Sequence, residues 1–592
     1  MKKQSALGRL LWLYEPFWRY ARGYVILSLV FWAVILPLHR ILMVIFPETV
    51  VNLITGGYGI QTLVGVVVVF QLLLLGIPIF EDFYNAYGKD KMEAKVELSI
   101  KRQVYEKALQ TDYRYVDDPK YYHTYMWAIH HQAEKAKEAF ALLNRAVSAL
   151  ILIVSLAGIV SMFSPWMVLL TVLSMVLRTY GYMKYNRQDV AREQELMHSS
   201  RKLDYYHRIF YMKDYNADLK TTKLRDFVFR HFNHEASHRL EVIHGYAKGL
   251  TRWAVFSDMI YRVFMTVIIL AVALNLASGD VGEAASYITI MLSIEKMEDA
   301  MYEFFELFQQ GGKLSLYARD IQAFYHMESQ IETEGASSQA MPPSGSFDIK
   351  FTHLCFQYAH SDFKIDSLNL HIRAGEKIAI VGENGTGKST LVKLLLRLYD
   401  PQSGDIAING KSIKDYSLPA LRRQIGVVFQ DTHVYAMSFK ENVELYRPVS
   451  SEDMPELIDK AQLRGMLQKN EGTPESLMTK EFDENGMVCS VGEEQKIGWA
   501  RVLGGNFGLL ILDEPSSALD PIAEYEMNQL LFDSRSKATT IMVAHRLSTI
   551  RNADRIIVMD KGRICESGSH DELMSQKGRY YEMFMKQAEN YN

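Results

Sequence analysis

The chain has 592 residues, of which 23% are charged, and a formal net charge of −4. It is too long for a single domain. Its charge balance excludes a generally basic nucleic-acid binder, so no nucleic-acid partner is expected. Cys355, Cys489 and Cys565 show neither metal spacing nor a pairing pattern, which suits a reducing cytosol.

The N-terminus carries Lys2, Lys3 and Arg9, then Trp12, Phe17 and Trp18, with no small-residue cleavage site. This predicts an amphipathic helix at a membrane surface, not a cleaved signal. Apolar runs follow at residues 24–46, 58–80, 146–163, 166–182, 255–277 and 284–306. Each approaches the ~20 mostly apolar residues that a spanning helix needs. Arg40 and Arg262 interrupt the first and fifth runs, and the sixth carries Glu295, Lys296, Glu298, Asp299 and Glu303. Residues 164–165 alone separate the third and fourth, which reads as a tight hairpin.

Six spans return both ends to one side. The three loops on the far side, 47–57, 164–165 and 278–283, contain no Lys or Arg. The basic N-terminus and two highly charged connections, 81–145 and 183–253, lie on the near side. The positive-inside rule then puts both termini in the cytosol and the chain, surrounded by lipid, in the plasma (inner) membrane. Because the first span begins near Tyr24, no N-terminal peptidase domain is expected.

On the sixth run, Glu295, Asp299, Glu303 and Glu306 share one helical face. A charge at the bilayer centre costs about 2.5–3.5 kcal/mol even on a lenient scale. These acids therefore face a watery path that accepts cationic groups, with Glu295 and Asp299 as its candidate residues, or they pair with Arg178 or basic residues of neighbouring spans, or they lie in the cytosolic extension of the helix.

Residues 332–346 are rich in Gly, Ser and Pro and read as a linker. Beyond it, short apolar strands alternate with helices. The chain therefore reads as a multidomain membrane protein. A six-helix all-α transmembrane domain (1–325) and a linker (326–346) precede an α/β P-loop nucleotide-binding domain (347–592).

Gly382-Glu383-Asn384-Gly385-Thr386-Gly387-Lys388-Ser389 fits G-x-x-x-x-G-K-[ST], between a predicted strand and a helix opening at Thr390. Glycines let backbone N–H groups wrap phosphates, and the helix N-terminus favours the anion. Lys388 then reaches the β- and γ-phosphates of ATP, and Ser389 ligates Mg2+. The apolar run at 509–512 ends in Asp513 and Glu514. Beside a phosphate loop, Asp513 can hold the metal through water and Glu514 can polarise the attacking water.

In their order, these motifs resemble the nucleotide-binding domain of ATP-binding cassette (ABC) transporters, over residues 347–587. The resemblance implies further roles. Tyr358 matches the aromatic that stacks on adenine. Gln430 matches a glutamine that contacts Mg2+ and the membrane domain. Ser517-Ala518-Leu519-Asp520 matches a loop that crosses the dimer interface, and His545 matches the histidine that contacts the γ-phosphate. The whole chain resembles an exporter half-transporter, in which two chains form two ATP sites. In that family, short cytosolic helices plug into the nucleotide domains; the matching stretches here are 115–125 and 214–225.

One motif departs from the family pattern. Where Leu-Ser-Gly-Gly-Gln is usual, this chain has Cys489-Ser490-Val491-Gly492-Glu493. In the family this segment closes over ATP held by the partner chain. Glycine permits close approach and positive φ, which a β-branched Val resists; Glu493 adds negative charge. Ser490-x-x-Glu493 is also a helix capping box, and the two readings coexist. An intact set of its own site residues with an impaired lent segment favours a different half-transporter as partner over a second copy. ATP-driven export of an amphiphilic, peptide or drug-like substrate is the expected function. An importer, or a nucleotide-gated regulator on the same scaffold, is the alternative.

Overall fold

The computed structural model describes residues 5–589 except 117, 164, 279–283, 330, 332–344, 360, 361, 516–518, 533–536, 545 and 548. Most of the expected linker therefore lies outside the described residues. The chain divides into two compact units. One comprises Met1–Leu109 with Pro119–Met327, the other Gln110–Asp118 with Glu328–Asn592. The expected membrane domain, 1–325, includes 110–118; by its contacts this short segment belongs to the second unit.

The first unit is helical: α1 (Ala6–Tyr20), α2 (Arg22–Val30), α3 (Leu36–Thr55), α4 (Ile60–Phe83), α5 (Asp90–Gln110), α6 (Pro119–Phe163), α7 (Pro165–Tyr211), α8 (Lys213–Thr221), α9 (Leu224–Ser278) and α10 (Ala284–Tyr325). Among the described residues, five stretches are long and apolar enough to cross a membrane: Arg22–Thr55, Ile60–Gln110, Thr124–Met162, Pro165–Met197 and Leu224–Leu274. The sixth expected span, in α10, is too charged to qualify by composition. It is nevertheless a continuous helix whose apolar face is buried. Met297 and Ala300 pack against Val44 of α3 and Leu152 and Leu156 of α6, while Ile290 and Ile294 pack against Met167 of α7 and Ile268 of α9.

Helices α6, α7 and α9 have 45, 47 and 55 residues. At about 1.5 Å per residue each exceeds twice the ~30 Å hydrocarbon core, so the charged connections are helical extensions of spans. Of the two stretches expected as tip helices, 214–225 contains most of α8. The other begins at the end of a single 3-10 turn, Tyr113–Tyr115, and runs into α6.

Helix α1 starts where the Ser5 hydroxyl accepts from Gly8 N at 3.1 Å. Its Leu10 and Leu13 pack against Ala139 and Leu142 of α6 and Leu314 and Ala318 of α10. The expected amphipathic helix thus spends one face on protein; Leu7, Leu11 and Trp18 form its exposed apolar face.

Two π-helical turns, Phe31–Ile35 and Tyr84–Lys89, join α2 to α3 and α4 to α5. Phe31 and Tyr84 stack at 5.3 Å, and Tyr24 bridges Tyr84 and Phe140 at 5.6 and 5.4 Å. A π turn rotates the side chains that follow it; here both turns feed one aromatic column.

Ion pairs tie the helices together. Arg178 of α7 donates to Glu298 of α10 at 2.8 Å, with both side chains nearly buried. The Arg178 guanidinium also lies 5.1 Å from the Tyr261 ring of α9. Arg40 meets Glu303 at 2.8 Å, and Arg145 meets Glu306 at 3.1 Å.

The second unit holds two sheets. The antiparallel one runs β2 (Lys364–Ile372), β1 (Ile349–Gln357), β4 (Ser403–Ile408), β5 (Lys411–Ser412). The other runs β10 (Arg563–Gly568), β9 (Arg555–Asp560), β3 (Lys377–Val381), β8 (Thr539–Val543), β7 (Leu509–Asp513), β6 (Ile425–Val428). From β9 to β6 its pairings are parallel, and β10 is antiparallel. Strands buried on both faces read as unbroken apolar runs, and β3 and β8 are buried at every position.

Breaking a buried ion pair from one side leaves an uncompensated charge worth about 3–5 kcal/mol. Arg178→Met should therefore lower the thermal midpoint of the purified chain in detergent by several degrees. The Arg178→Met/Glu298→Met double variant should recover a large part of that loss.

Candidate nucleotide-binding site

Parallel pairing builds the site. Strand β8 lies between β3 and β7, with Ile380 and Asp513 both registered to Val543. The loop after β3 and the acids ending β7 therefore emerge side by side at the carboxyl edge of the sheet, where open α/β sheets bind ligands.

The loop between β3 and α11 (Lys388–Leu395) demands glycine at two points. Gly382 has φ +155° and a Cβ there would sit 2.4 Å from the Met559 carbonyl oxygen; Gly387 has φ +105° and its Cβ would meet Phe363 at 2.6 Å. Lys388 Nζ donates to the Gly382 and Glu383 carbonyls at 2.8 and 3.0 Å, bridging the loop. Burial lowers its pKa from the usual lysine value, opposed by the negative charges of Glu514 and Asp513. Thr386 Oγ1 donates to the Glu383 carbonyl at 2.9 Å.

Tyr358, Asn384, Gly385, Gly387, Lys388, Ser389, Thr390, Gln430 and Glu514 line one open cleft, together with Phe363. Asp513 stands behind it, buried, with Oδ1 3.5 Å from Ser389 Oγ. Hydroxyl, carboxylate and amide oxygens are the hard donors that Mg2+ prefers, so Ser389, Asp513 and Gln430 form a fitting set for that ion. Glu514 has φ +50°, a left-handed conformation that costs a non-glycine residue energy. Its N–H donates to the Val543 carbonyl at 2.9 Å, so β8 holds this strained turn in place. Tyr358 OH donates to Thr390 Oγ1 at 3.2 Å.

His545, Ser517 and Ala518 lie outside the described residues. Of the same interface loop, Leu519 is buried and Asp520 caps the helix Pro521–Phe532, accepting from Ile522 N and Ala523 N at 3.1 and 2.9 Å. Phe363 was not read from the sequence, because no motif marks a ring in a strand-to-strand turn. Nor was Lys393, which lies five residues past Lys388 on α11.

The sequence pattern of the ABC transporter family matches residues 365–517, the span that contains the phosphate loop and the acidic strand end. This chain carries an ABC transporter domain. Similar proteins include the mitochondrial iron-sulfur clusters transporter ATM1 of Saccharomyces cerevisiae, 40% identical over 43% of this chain and 37% of that protein. The β-(1→2)glucan export ATP-binding/permease protein NdvA of Rhodopseudomonas palustris is 33% identical over 56% of this chain and 54% of its own. The putative multidrug export protein YgaD of Bacillus subtilis is 39% identical over 41% of each chain. The chain thus spans about half, or less, of the length of these curated relatives. A solved bacterial Atm1-family ABC exporter with ATP bound shares the fold, with a TM-score of 0.77 at 21% identity over 96% of this chain and 98% of that one.

Within the ABC domain, the altered segment opens the helix Val491–Leu503. Ser490 is its N-cap: the hydroxyl accepts from Glu493 N at 3.3 Å. The Glu493 carboxylate in turn accepts from Ser490 N at 2.8 Å and from Ser490 Oγ at 2.9 Å. The Ser490 hydroxyl proton is thus already committed to a carboxylate. Val491 is the first helical residue and does not have positive φ, so that half of the argument about its replacing glycine does not apply. Its side chain is 65% exposed, so what it adds is bulk at the surface. Cys489 faces Met466 sulfur at 3.4 Å, and burial, with Glu493 and Glu494 near, pushes its thiol up to about 12. It serves there as an apolar side chain.

On α10, Glu295 and Asp299 are about half exposed, and both contact Lys296, at 3.3 and 3.2 Å. Glu303 and Glu306 of the same face are engaged by arginines, as described above.

The loop geometry ranks two substitutions. Gly385 has φ +79° but open space around it, so Gly385→Ala carries only backbone strain, about 1–2 kcal/mol. Gly382→Ala adds a collision with backbone. Titration with mant-ATP should show a weakened site in the first variant and no measurable binding in the second.

Proposed function

We propose that this chain is one half of a dimeric, ATP-driven exporter of an amphiphilic, peptide or drug-like substrate, with two unequal ATP sites. Both termini and the nucleotide-binding domain lie in the cytosol, on the basic side of the plasma membrane. The fold and the exporting roles in the names of its relatives support the export reading.

In this reading Lys388 and the loop N–H groups hold the phosphates of ATP, and Tyr358 takes the base. Ser389, Gln430 and Asp513, the last through water, hold Mg2+, which when bound neutralises phosphate charge. Glu514 orients the attacking water. His545 contacts the γ-phosphate. Glu295 and Asp299, together with Lys296, are the candidate polar residues of the transport path.

One observation carries the asymmetry. Tyr358, Lys388, Ser389, Gln430 and Glu514 line one cleft, while Ser490, the residue offered to a partner's ATP, has its hydroxyl held by Glu493. An anionic partner for that hydroxyl competes with phosphate and repels it. The neutral amide of the usual glutamine has no such charge. A partner half-transporter with an unaltered segment would restore one strong site, whereas two copies of this chain would have two weak ones. The same scaffold working as an importer or as a nucleotide-gated regulator is the second reading. Glu514, held at the cleft by β8, favours turnover over gating.

Two measurements test this. Glu514→Gln should retain mant-ATP binding and lose at least a hundredfold in ATP turnover in the assembled transporter, since a general base contributes about 10²–10⁴-fold. In the chain on its own, Glu493→Gln combined with Val491→Gly should raise ATPase several-fold; unchanged ATPase would remove the argument for unequal sites.

A further inference from the structure

Lys393 lies on the second turn of α11, the helix that begins with the phosphate lysine. It has no carboxylate within ion-pair distance among the described residues. Instead its Nζ lies among three tyrosine rings, 5.5 Å from Tyr113, 5.7 Å from Tyr358 and 6.0 Å from Tyr399. An ammonium within about 6 Å of a ring centroid is attracted by the ring's quadrupole. The rings also contact one another edge to face. Tyr358 and Tyr399 are 5.3 Å apart at 89°, and Tyr113 and Tyr399 are 5.8 Å apart at 80°, the arrangement that aromatic pairs prefer.

Two of these rings have different roles. Tyr358 lines the nucleotide cleft. Tyr113 belongs to Gln110–Asp118, the short segment that joins the second unit although the chain on both sides of it belongs to the first. Lys393 is thus a shared cation between a ring at the base end of the cleft and a ring on that inserted segment. The Tyr358 hydroxyl is tied to Thr390 on the same helix, so ring and cation are both referenced to α11.

We infer that Lys393 is a positioning residue for the base end of the ATP site, setting the Tyr358 ring through a three-tyrosine cage that Tyr113 of the inserted segment completes. The affinity for the base, and not for the phosphates, then depends on a residue encoded between two membrane-unit helices. This inference rests on the reading that the cleft binds ATP.

The test uses the purified full chain in lipid nanodiscs, with mant-ATP as the probe and tripolyphosphate, which lacks a base, as competitor. Lys393→Met keeps length and removes charge. It should weaken mant-ATP about three- to tenfold and leave tripolyphosphate unchanged. Lys393→Arg, which keeps a cation for the rings, should restore mant-ATP binding. Tyr113→Ala should weaken mant-ATP in the same direction, and Tyr113→Phe should not. Unchanged mant-ATP affinity in Lys393→Met overturns the inference. So does a parallel loss for tripolyphosphate, which would mean disturbance of the loop or the fold. A loss in Lys393→Met with none in Tyr113→Ala overturns the part assigned to the inserted segment. Absence of mant-ATP binding by the unaltered chain would overturn the nucleotide-site reading itself.

Discussion

Strand β8 pairs in parallel with β3 on one side and β7 on the other, and its Val543 is registered to both Ile380 and Asp513. That double pairing is what brings a glycine-rich loop and an acidic strand end, far apart in sequence, to the same cleft. It also supports the left-handed turn at Glu514, whose N–H is taken by the Val543 carbonyl. Without β8 between them, Ser389 and Asp513 would not come within 3.5 Å of each other. Because every position of β3 and β8 is buried, the geometry of the cleft is set by core packing and not by surface loops.

The lent segment follows a different logic. It sits on a helix start, where a capping box is a favourable local solution. Changing glutamine to glutamate makes the box ionic and strengthens the cap. The same change engages the hydroxyl that the family resemblance assigns to a partner's phosphate. Local stability and trans-acting chemistry therefore pull in opposite directions at Ser490. The burden of asymmetry shifts from Val491, whose backbone is ordinary helix, to the Ser490–Glu493 pair.

Much of this was legible in the sequence, for reasons that differ by element. The phosphate loop could be read because only glycine tolerates the backbone at Gly382 and Gly387. The strand ending in Asp513 and Glu514 could be read because a doubly buried strand shows as an apolar run. Five spans were legible from length and composition. The sixth was harder, since α10 places acids on one face while burying Ile290, Ile294 and Met297 on the other, and composition averages the two. Pairing of the α10 acids with basic residues was one of the expectations; what could not be read was which arginine meets Glu298, Glu303 or Glu306, the ring of Phe363 beside Gly387, and the cage around Lys393. These contacts join residues whose spacing in the chain carries no periodic signal. The assignment of Gln110–Asp118 to the second unit was hidden for the same reason.

The central claim is that this chain hydrolyses ATP well at its own cleft only when another chain supplies the closing segment. The most direct measurement is steady-state ATPase of the purified chain, alone, over a range of ATP concentrations and with its oligomeric state verified. The account predicts slow, non-cooperative turnover. Fast, cooperative hydrolysis by a clean dimer of this chain would contradict it.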